Sequence, residues 1–569
     1  MGDVIQYLID GTSGIAPGGV DGKALVAGVC SKGRVGKAYL IGKRSDLESL
    51  LGQGPLVERI REMLDTGGQE PYLVAVPVQG QPAGYLTELQ LDGTGPQARL
   101  SGYPAKNADV KILVKTAGPV AADDSEADAA EIEIKLGDKE WGEAAKALPQ
   151  NVIGDTGATL LFNEGDILVA GDVYSFSTRV SVGPVEKTGD GQSPLVEVAE
   201  TSDGVLAAAE LVIRITKGGG RNEGSFQLSI DGGDNYQKAR TIPVNGEYPL
   251  YDLGVKLDFP EGAYATGTTY ECRLLAPAPS IVDVLDALDS PLNIHDVEFV
   301  HVVGESDSVD WMACQAKAEE LWNLHRPTYF KLETRLPRSG EDLSDYAAWL
   351  LAERQGVSCR FVTVCAQFGE VVNSDGYSRL RNAAGLQAGR VISIPVQRAT
   401  GRVKDGPVSQ LSLPFGWEAA QAALEDAGFL TAKKYGGLEG TYWADSRTLA
   451  DDTSDYRYEE VLRTVFKAVR LTRIAALKSM YDEAGDPLRP NNDNGLAYLK
   501  ANLENALDVM VGDKELAAYV VDIPPGQDIV NNGVSVELSL IGIPIIREIK
   551  LYNRYIYAGS KFDPRKEEN

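Results

Sequence analysis

The residue types that most often carry out chemistry are few in this sequence, and their surroundings are plain. Two of the three histidines border the apolar segment "IHDVEFVHVVG", where burial in a strand explains them better than a catalytic base does. The five cysteines are scattered, include no CxxC pair and mostly lie in apolar runs, which favours buried thiols in a reducing compartment. These residues are His295, His301, His325, Cys30, Cys272, Cys314, Cys359 and Cys365. The sequence therefore predicts no catalytic residue and no metal site.

Glycine-rich segments that look like phosphate or calcium loops each lack a required feature. "GKAYLIGKRS" is one residue too wide for GxxxxGK[ST], and Lys43 is followed by Arg44 instead of a magnesium-binding hydroxyl. "KGGGRNEG" lies between two β segments and opens no helix, as a dinucleotide site would require. "SIDGGDNY" and "NNDNG" lack the full calcium loop with its final glutamate. We expect turns at these places and no cofactor.

Charged runs are the remaining candidates. "DDTSDYRYEE" is explained by the capped start of a helix, so it does not require a carboxylate pair for acid–base chemistry. The helix that follows carries basic residues that stand out on an acidic chain, namely Arg463, Lys467, Arg470 and Arg473. They form either an ordinary solvated face or an electrostatic contact between subunits, and the sequence leaves both interpretations open.

Length and charge indicate a soluble protein of several domains. The chain has 569 residues, and at roughly 150 residues per domain this suggests three or four domains. It carries 55 basic and 82 acidic residues, and the formal net charge of −27 argues against nucleic acid or an anionic membrane as a partner. We expect synthesis in the cytoplasm, because the first residues show no secretory signal and no apolar run is long enough to cross a bilayer.

Strand and helix patterns alternate in two separate parts of the chain. The first part has strands at "KALVAGVC", "GKAYLIG" and "PYLVAVPV", with a helix over residues 45–64 that Pro55 kinks or splits. The second part has strands at "VEFVHVVG", "YFKLET", "CRFVTVCAQF" and "RVISIPVQ", with helices between them and two long helices over 455–482 and 494–510. We predict an α/β (α+β) discontinuous core domain built from residues 23–81 and 280–542.

The residues between these two parts form short β segments with almost no helical periodicity. We predict inserted all-β domains, as two β-sandwich modules over residues 82–183 and 184–279, since surface insertions cost little loop entropy. The second module looks like a repeat of the first at a spacing of roughly 96 residues, and chance similarity is the alternative. The matched pairs are Phe162 with Phe259, Glu164-Gly165 with Glu261-Gly262, Gly171 with Gly267, and Tyr174 with Tyr270.

Both ends of the chain read as strands that lack a partner. Residues 1–22 combine the apolar "VIQYLID" with a glycine-rich hinge, and residues 543–569 follow a break at Gly542 and Pro544. The segment before that break alternates as a half-buried strand of the chain's own sheet, and the segment after it is a further strand. We predict terminal strand-exchange arms that pair with neighbouring subunits. Their residues are Val4, Ile5, Tyr7, Ile9, Ile545, Ile549, Leu551, Tyr555 and Tyr557.

Four segments carry a resemblance to a known family. They are "ALVAGVCSKGRVGKAYLIGKRSDLESLLGQGPLVERIREMLDTGGQEPYLVAVPV", "YGGLEGTYWADSRTLADDTSDYRYEEVLRTVFKAVRLTRIAALKSM", "LRPNNDNGLAYLKANLENALDVMVGDKELAAYVV" and "GVSVELSLIGIPIIREIKLYNRYI". In these patterns the chain resembles the sheath protein family of contractile phage tails and related contractile injection systems. Two phrases depart from the family pattern, "DTGGQEP" and "GIPIIREI", and the second affects the register of the terminal strand.

The resemblance implies a structural subunit that is not an enzyme. Such a subunit polymerises with itself as hexameric rings, stacked helically around an inner tail tube protein, and contracts to drive the tube through a cell envelope. Baseplate and tail terminator proteins would be further partners, and the charged residues of the long helix could face the tube. The protein would be assembled in the bacterial host cytoplasm and reside in the virion tail, without binding nucleic acid or membrane.

Two other functions stay open at this stage. An α/β hydrolase with appended β-sandwich carbohydrate-binding modules would explain the inserted domains, although no catalytic pair can be assigned to it. A non-contractile baseplate or adhesin component would explain the β-rich insert and the arms. Tubes with a helical repeat in electron micrographs would distinguish a sheath from both.

Overall fold

The computed structural model describes residues 19–122, 128–338, 341–372, 376, 378–485, 494–558 and 560–565. The chain forms two compact units, Met1–Leu477 and Lys478–Asn569. It is a mixed α/β protein, as the sequence predicts. None of the helices within the described ranges has the length and apolar character that crossing a membrane requires.

The first stretch of the core alternates strands and helices. Its elements are β1 (Lys23–Gly28), β2 (Tyr39–Ile41), α1 (Leu47–Leu50), α2 (Pro55–Thr66) and β3 (Tyr72–Pro77). The helix predicted over 45–64 is therefore two helices. Asp46 caps α1 by accepting the backbone N–H of Ser49, and Pro55 begins α2, where its missing N–H costs no hydrogen bond.

Residues 84–180 form the first β module. Its strands are β4 (Gly84–Leu86), β5 (Gln90–Asp92), β6 (Arg99–Gly102), β7 (Ala108–Thr116), β8 (Gly118–Pro119), β9 (Glu131–Leu136), β10 (Ala145–Lys146), β11 (Gln150–Val152), β12 (Ala158–Leu161), β13 (Ile167–Leu168) and β14 (Val173–Val180). The larger sheet has the order β10-β9-β7-β14-β4, with β5 also paired to β14, and a second sheet has the order β11-β12-β6. Apolar side chains from both sheets form one core.

Residues 186–274 form the second β module. Its strands are β15 (Glu186–Thr188), β16 (Glu197–Glu200), β17 (Ala209–Lys217), β18 (Ser225–Ser229), β19 (Arg240–Thr241), β20 (Glu247–Leu250), β21 (Val255–Asp258) and β22 (Thr269–Leu274). The larger sheet has the order β19-β18-β17-β22-β15, and the smaller one β20-β21-β16. The five-stranded and three-stranded orders match those of the first module, in which β5, β8 and β13 are additional strands.

Equivalent details recur at equivalent places in the two modules. The hydroxyl of Tyr174 donates to the carbonyl of Pro96, and that of Tyr270 to the carbonyl of Pro194, each at 2.7 Å. The ladder of β7 with β9 shifts register after Val114, and that of β17 with β18 shifts after Ile215. The two modules therefore share one architecture.

The second stretch of the core completes the central sheet. Its elements are α3 (Ile281–Ile294), β23 (Phe299–Ser306), α4 (Ser308–Asn323), β24 (Tyr329–Thr334), α5 (Leu343–Arg354), β25 (Val362–Cys365), β26 (Phe368–Val372), β27 (Ser378–Asn382), α6 (Ala384–Ser393), β28 (Leu411–Ser412), α7 (Glu418–Asp426), β29 (Ala432–Lys433), β30 (Tyr442–Trp443) and α8 (Glu459–Leu477). The central sheet has the order β2-β3-β1-β23-β24-β25, and only β2 runs antiparallel. Strands from residues 23–77 and 299–365 thus share one sheet, with β1 and β23 as neighbours.

One predicted strand of this stretch is wrong. "RVISIPVQ" begins inside α6, which packs closely on α2. Gly385 and Gly389 make this approach possible, because a Cβ at Gly385 would lie 2.3 Å from a carboxylate oxygen of Glu62. The β-branched residues of the segment gave the strand pattern, and tertiary packing on α2 overrides it.

The second unit is smaller. It contains α9 (Asn494–Gly512), β31 (Ala518–Asp522), α10 (Ile529–Asn532) and β32 (Glu537–Ile541). β31 and β32 form a two-stranded antiparallel sheet, here called the C-terminal hairpin. Buried side chains of α9 and β31, including Leu507, Met510 and Val521, give the unit its core. Residues 542–558 follow the hairpin without helix or strand, and we call residues 543–558 the C-terminal arm.

Candidate functional site

The fold separates the histidines and cysteines that could take part in catalysis or bind a metal. His301 is fully buried on β23, His295 is half-buried after α3, and His325 is exposed. Burial raises the pKa of the cysteine thiols, to about 11 for Cys30 and to about 12 for Cys272, so they are protonated at neutral pH. Across the described part of the chain, no group of three or more histidine, cysteine or acidic side chains is arranged to hold a metal ion.

His301 belongs to a buried charge network instead. Its Nε2 lies 3.1 Å from Oε1 of Glu333, which also accepts a hydrogen bond of 2.7 Å from Nε of Arg59. Burial would raise the pKa of Glu333, but Arg59 and His301 outweigh it and lower the pKa to about 2. A carboxylate held in this way is satisfied and ionised, which indicates a structural role.

A second buried pair joins α8 to the central sheet. Nζ of Lys331 lies 2.6 Å from Oε1 of Glu459, and the hydroxyl of Tyr329 donates to the same oxygen at 2.8 Å. Burial would raise the pKa of Glu459, but Lys331, Ser446 and Arg463 lower it to about 2. Because Glu459 is the first residue of α8, this pair fixes the start of the helix, four residues after the predicted one.

The C-terminal arm places apolar side chains in solvent. Ile549, Leu551, Tyr555 and Tyr557 are 72%, 79%, 84% and 74% exposed, and Ile545 is half-buried. The rings of Tyr555 and Tyr557 meet edge to face at 5.1 Å, as residues two apart do on one face of an extended chain. A run of exposed apolar residues of this kind is typical of a binding surface.

The arm also differs in charge from the rest of the chain. Residues 543–558 contain three basic residues and one acidic residue, a net charge of +2, while the whole chain has a formal net charge of −27. The charged residues are Arg547, Glu548, Lys550 and Arg554. The arm therefore combines apolar contact area with a charge that favours an acidic partner.

The C-terminal hairpin offers strand edges. Tyr519 pairs with Leu540 and Val521 with Leu538, and neither strand has a second neighbour among the residues that the structure describes. Val520 on β31 is 52% exposed. An unpaired edge carries backbone donors and acceptors that can accept another strand.

The predicted residues of the N-terminal arm, Val4, Ile5, Tyr7 and Ile9, lie outside the described residues. Their part in strand exchange stays a prediction. The described chain begins at Gly19 and enters β1 through Asp21 and Gly22.

The basic residues of α8 are placed differently from one another. Arg463 is fully buried and ion-paired to Glu298 within the chain, which disfavours a contact with another subunit or a tube; the contact itself stays a prediction. Lys467 lies 2.6 Å from Asp21, and Nη2 of Arg470 lies 3.2 Å from Asp296. Arg473 is exposed. Sequence reasoning missed the three acidic partners, although each comes within three residues of the start of β1 or β23.

Comparison with known proteins identifies the family. The model described as "DUF2586, N-terminal domain" matches residues 1–447, and "DUF2586, C-terminal domain" matches residues 455–560. The chain belongs to the DUF2586 family. No curated protein matches it significantly.

Solved structures similar to this DUF2586 chain include two sheath tail proteins. The one from Desulfitobacterium hafniense is 11% identical, with 95% of this chain and 100% of that chain covered and a TM-score of 0.41. The one from Listeria innocua is 9% identical, with 92% and 96% covered and a TM-score of 0.40. A chain of the anti-feeding prophage baseplate is 21% identical, with 51% and 76% covered and a TM-score of 0.36.

The two DUF2586 ranges divide the chain just before α8. The C-terminal range contains α8, α9, the C-terminal hairpin and the C-terminal arm, whereas the compact units divide after α8, at Leu477. In this DUF2586 chain α8 therefore belongs to the sequence range of the second domain, but its buried side chains pack in the first unit.

Proposed function

We propose that this chain is a structural subunit of a contractile tail sheath. The subunit polymerises as stacked hexameric rings around an inner tube and contracts to drive the tube through a cell envelope. The observation that carries the proposal is the exposed apolar C-terminal arm, which directly follows a hairpin with unpaired edges. The resemblance of the terminal segments to sheath sequences supports the same assignment.

Docking of the arm would supply the energy of assembly. Fully burying one large apolar side chain is worth about 1.5–3 kcal/mol, and the arm exposes several, among them Ile546, Ile549, Leu551 and Tyr555. In the single chain this energy is not realised, because these side chains remain in solvent. A second copy that covers the arm would recover it.

Strand pairing would supply the geometry. Among the described residues, the extended arm forms no ladder and each strand of the C-terminal hairpin has one open edge, so addition of an arm to the hairpin of a neighbour satisfies both. Gly542 follows the end of β32, and Pro544 at the start of the arm cannot donate to a ladder, which lets the arm leave its own hairpin. An exchanged strand holds two subunits together while their bodies slide and rotate, as contraction requires.

Such an assembly requires several kinds of partner. The partners are further copies of the chain, an inner tube protein, and baseplate and terminator proteins at the two ends of a phage or prophage tail. The N-terminal arm, with Val4 to Ile9, exchanges in the same way. No catalytic step is assigned to the subunit.

Truncation tests the proposal. A chain that ends at Gly542 lacks the arm, and a matched control that ends at Gly559 keeps it. We expect the full chain and the control to form rings and tubes in negative-stain micrographs, and the shorter chain to stay monomeric with the same circular dichroism spectrum and melting temperature. Tubes formed by the shorter chain would refute the role of the arm, and a monomeric full chain at all concentrations would refute the sheath assignment.

A further inference from the structure

The basic face of α8 meets two neighbouring strands at the same edge of the central sheet. Arg463, Lys467 and Arg470 are spaced by four and three residues, so they lie on one face of the helix. Their partners Glu298, Asp21 and Asp296 directly precede β23 and β1. Because these two strands are parallel, with Ala24 opposite Phe299, their amino ends lie side by side.

The centre of this contact is buried. Arg463 and Glu298 are 1% and 2% exposed, and Arg463 also donates to the carbonyl of Val391 at 3.1 Å, at the end of α6. The other oxygen of Glu298 accepts the backbone N–H of Gly22 at 2.5 Å. One carboxylate therefore ties the backbone that leads into β1 to an arginine on α8.

The backbone at Gly22 lies close against the end of α6 and leaves little room for a side chain. Gly22 has φ +72°, which favours glycine, and a Cβ there would lie 3.3 Å from the carbonyl oxygen of Ile392. Beside it, Asp21 is held by Lys467 at 2.6 Å. The residues that lead into β1 are thus held from two sides, by Glu298 at Gly22 and by Lys467 at Asp21.

We propose that Arg463, Lys467, Glu298 and Asp21 form a clamp that anchors the root of the N-terminal arm to the core domain. This inference rests on the proposed function, because an arm that links subunits needs a fixed root. A load on the chain before Asp21 then passes into α8 and the central sheet instead of peeling β1 from β3 and β23.

Hydrogen exchange of the full chain, kept below its assembly concentration, tests the clamp. Lys467→Met removes the outer ion pair. Glu298→Gln keeps the shape of the side chain, but its amide group faces either Arg463 or Gly22 with an N–H and loses one of the two contacts. Arg473→Met is the matched control, as an exposed basic residue on the same helix.

We expect exchange of the backbone amides of residues 19–25 to rise about tenfold in both clamp variants, with no change in β24 and no change in the control. The clamp variants should also form fewer tubes than the natural chain. Unprotected amides at residues 22–25 in the natural chain, or unchanged exchange in Lys467→Met, would overturn the clamp.

The outcomes for the clamp and for the sheath are separable. If Glu298→Gln loses protection against hydrogen exchange throughout β24, that substitution destabilises the core itself. The clamp is then tested by the exchange of Lys467→Met alone. If the exchange results are as expected but the natural chain never forms tubes, the clamp holds as a property of the subunit and the proposed function fails.

Discussion

The central sheet and the C-terminal arm place their side chains in opposite ways. Around the sheet, charged residues are buried, and Arg59 and Lys331 each contact a buried carboxylate of the same chain. On the arm, apolar residues such as Leu551 and Tyr555 are exposed, and the residues that the structure describes do not cover them. The charged side chains around the sheet are thus paired within the chain, whereas the apolar side chains of the arm are left in solvent, where the proposed function assigns them a second copy as partner.

The central sheet and the C-terminal arm also differ in how their side chains contribute to the free energy of folding and of assembly. A buried ion pair adds little net stability, but losing one partner is costly, because it leaves an unpaired buried charge. The apolar arm adds little to the stability of the single chain, and its contribution comes only when another surface covers it. Changes in the sheet should therefore alter folding, and changes in the arm should alter assembly.

The largest effect is expected on the arm. Ile549→Asp combined with Leu551→Asp removes two apolar contacts of about 1.5–3 kcal/mol each and places two charges in the interface. Assembly measured by sedimentation should be lost, while the midpoint of chemical unfolding stays unchanged. A matched Glu548→Asp variant keeps the charge and should assemble. A large fall in the unfolding midpoint would show that the arm is part of the folded core.

The next effect is expected in the central sheet. Arg59→Met leaves the carboxylates of Glu333 and Glu62 buried without their shared arginine. The free energy of unfolding should fall by about 3–5 kcal/mol in urea titrations. Lys115→Met, which breaks an exposed pair with Glu133, serves as the control and should change little. An equal fall in the free energy of unfolding in the two variants would contradict the claim that a buried ion pair is more costly to break than an exposed one.

Acid should weaken the same network. The pKa values of Glu333 and Glu459 are about 2 in the folded chain, below their ordinary value of 4.5. Above about pH 4.5 the two ionised carboxylates therefore make their full contribution to the free energy of unfolding. As the pH falls toward 2 this contribution is lost, on the order of 3 kcal/mol for each carboxylate. Unfolding titrations between pH 2 and pH 6 measure this loss. A Glu333→Gln variant should show a shallower dependence, and an unchanged slope would contradict the assignment.

The smallest effect is expected in the two β modules. Tyr174→Phe and Tyr270→Phe each remove one hydroxyl that donates to a proline carbonyl, so each should cost about 0.5–1.5 kcal/mol. Calorimetry of the full chain should show similar losses for both. Tyr251→Phe, at an exposed position of the second module, is the control and should be neutral. Clearly unequal losses would argue against equivalent roles for the two tyrosines.

Much of the fold follows from local patterns. Continuous apolar runs such as "KALVAG" and "FVHVV" indicate parallel strands covered on both faces, and the structure places both in the central sheet. The aligned Tyr174 and Tyr270 occupy equivalent positions in two modules of the same strand order. Strand alternation before Gly542 corresponds to β32 of the C-terminal hairpin.

Other features depend on contacts far apart in the sequence. The partner of Arg463 lies 165 residues away, so helix periodicity alone shows a basic face and not the acids that neutralise it. α6 was missed because Val391, Ile392 and Ile394 have strand propensity, while its packing on α2 is a tertiary effect. The arm is readable as an extended apolar segment, but the sequence pattern does not show which surface covers it.

One measurement tests directly whether the arm docks on another copy. One tagged copy carries Leu551→Cys on the arm, a second copy with a different tag carries Val520→Cys on the hairpin, and a short bis-maleimide links cysteines that meet. The natural chain measures any background from its own thiols. In the control, Tyr251→Cys, at an exposed position of the second β module, replaces Val520→Cys.

We predict a cross-linked product that contains both tags, forms only when the two copies are mixed under assembly conditions, and is absent with Tyr251→Cys. A cross-link that forms only when both cysteines are in one chain, or no cross-link within assembled tubes, would contradict strand exchange between subunits.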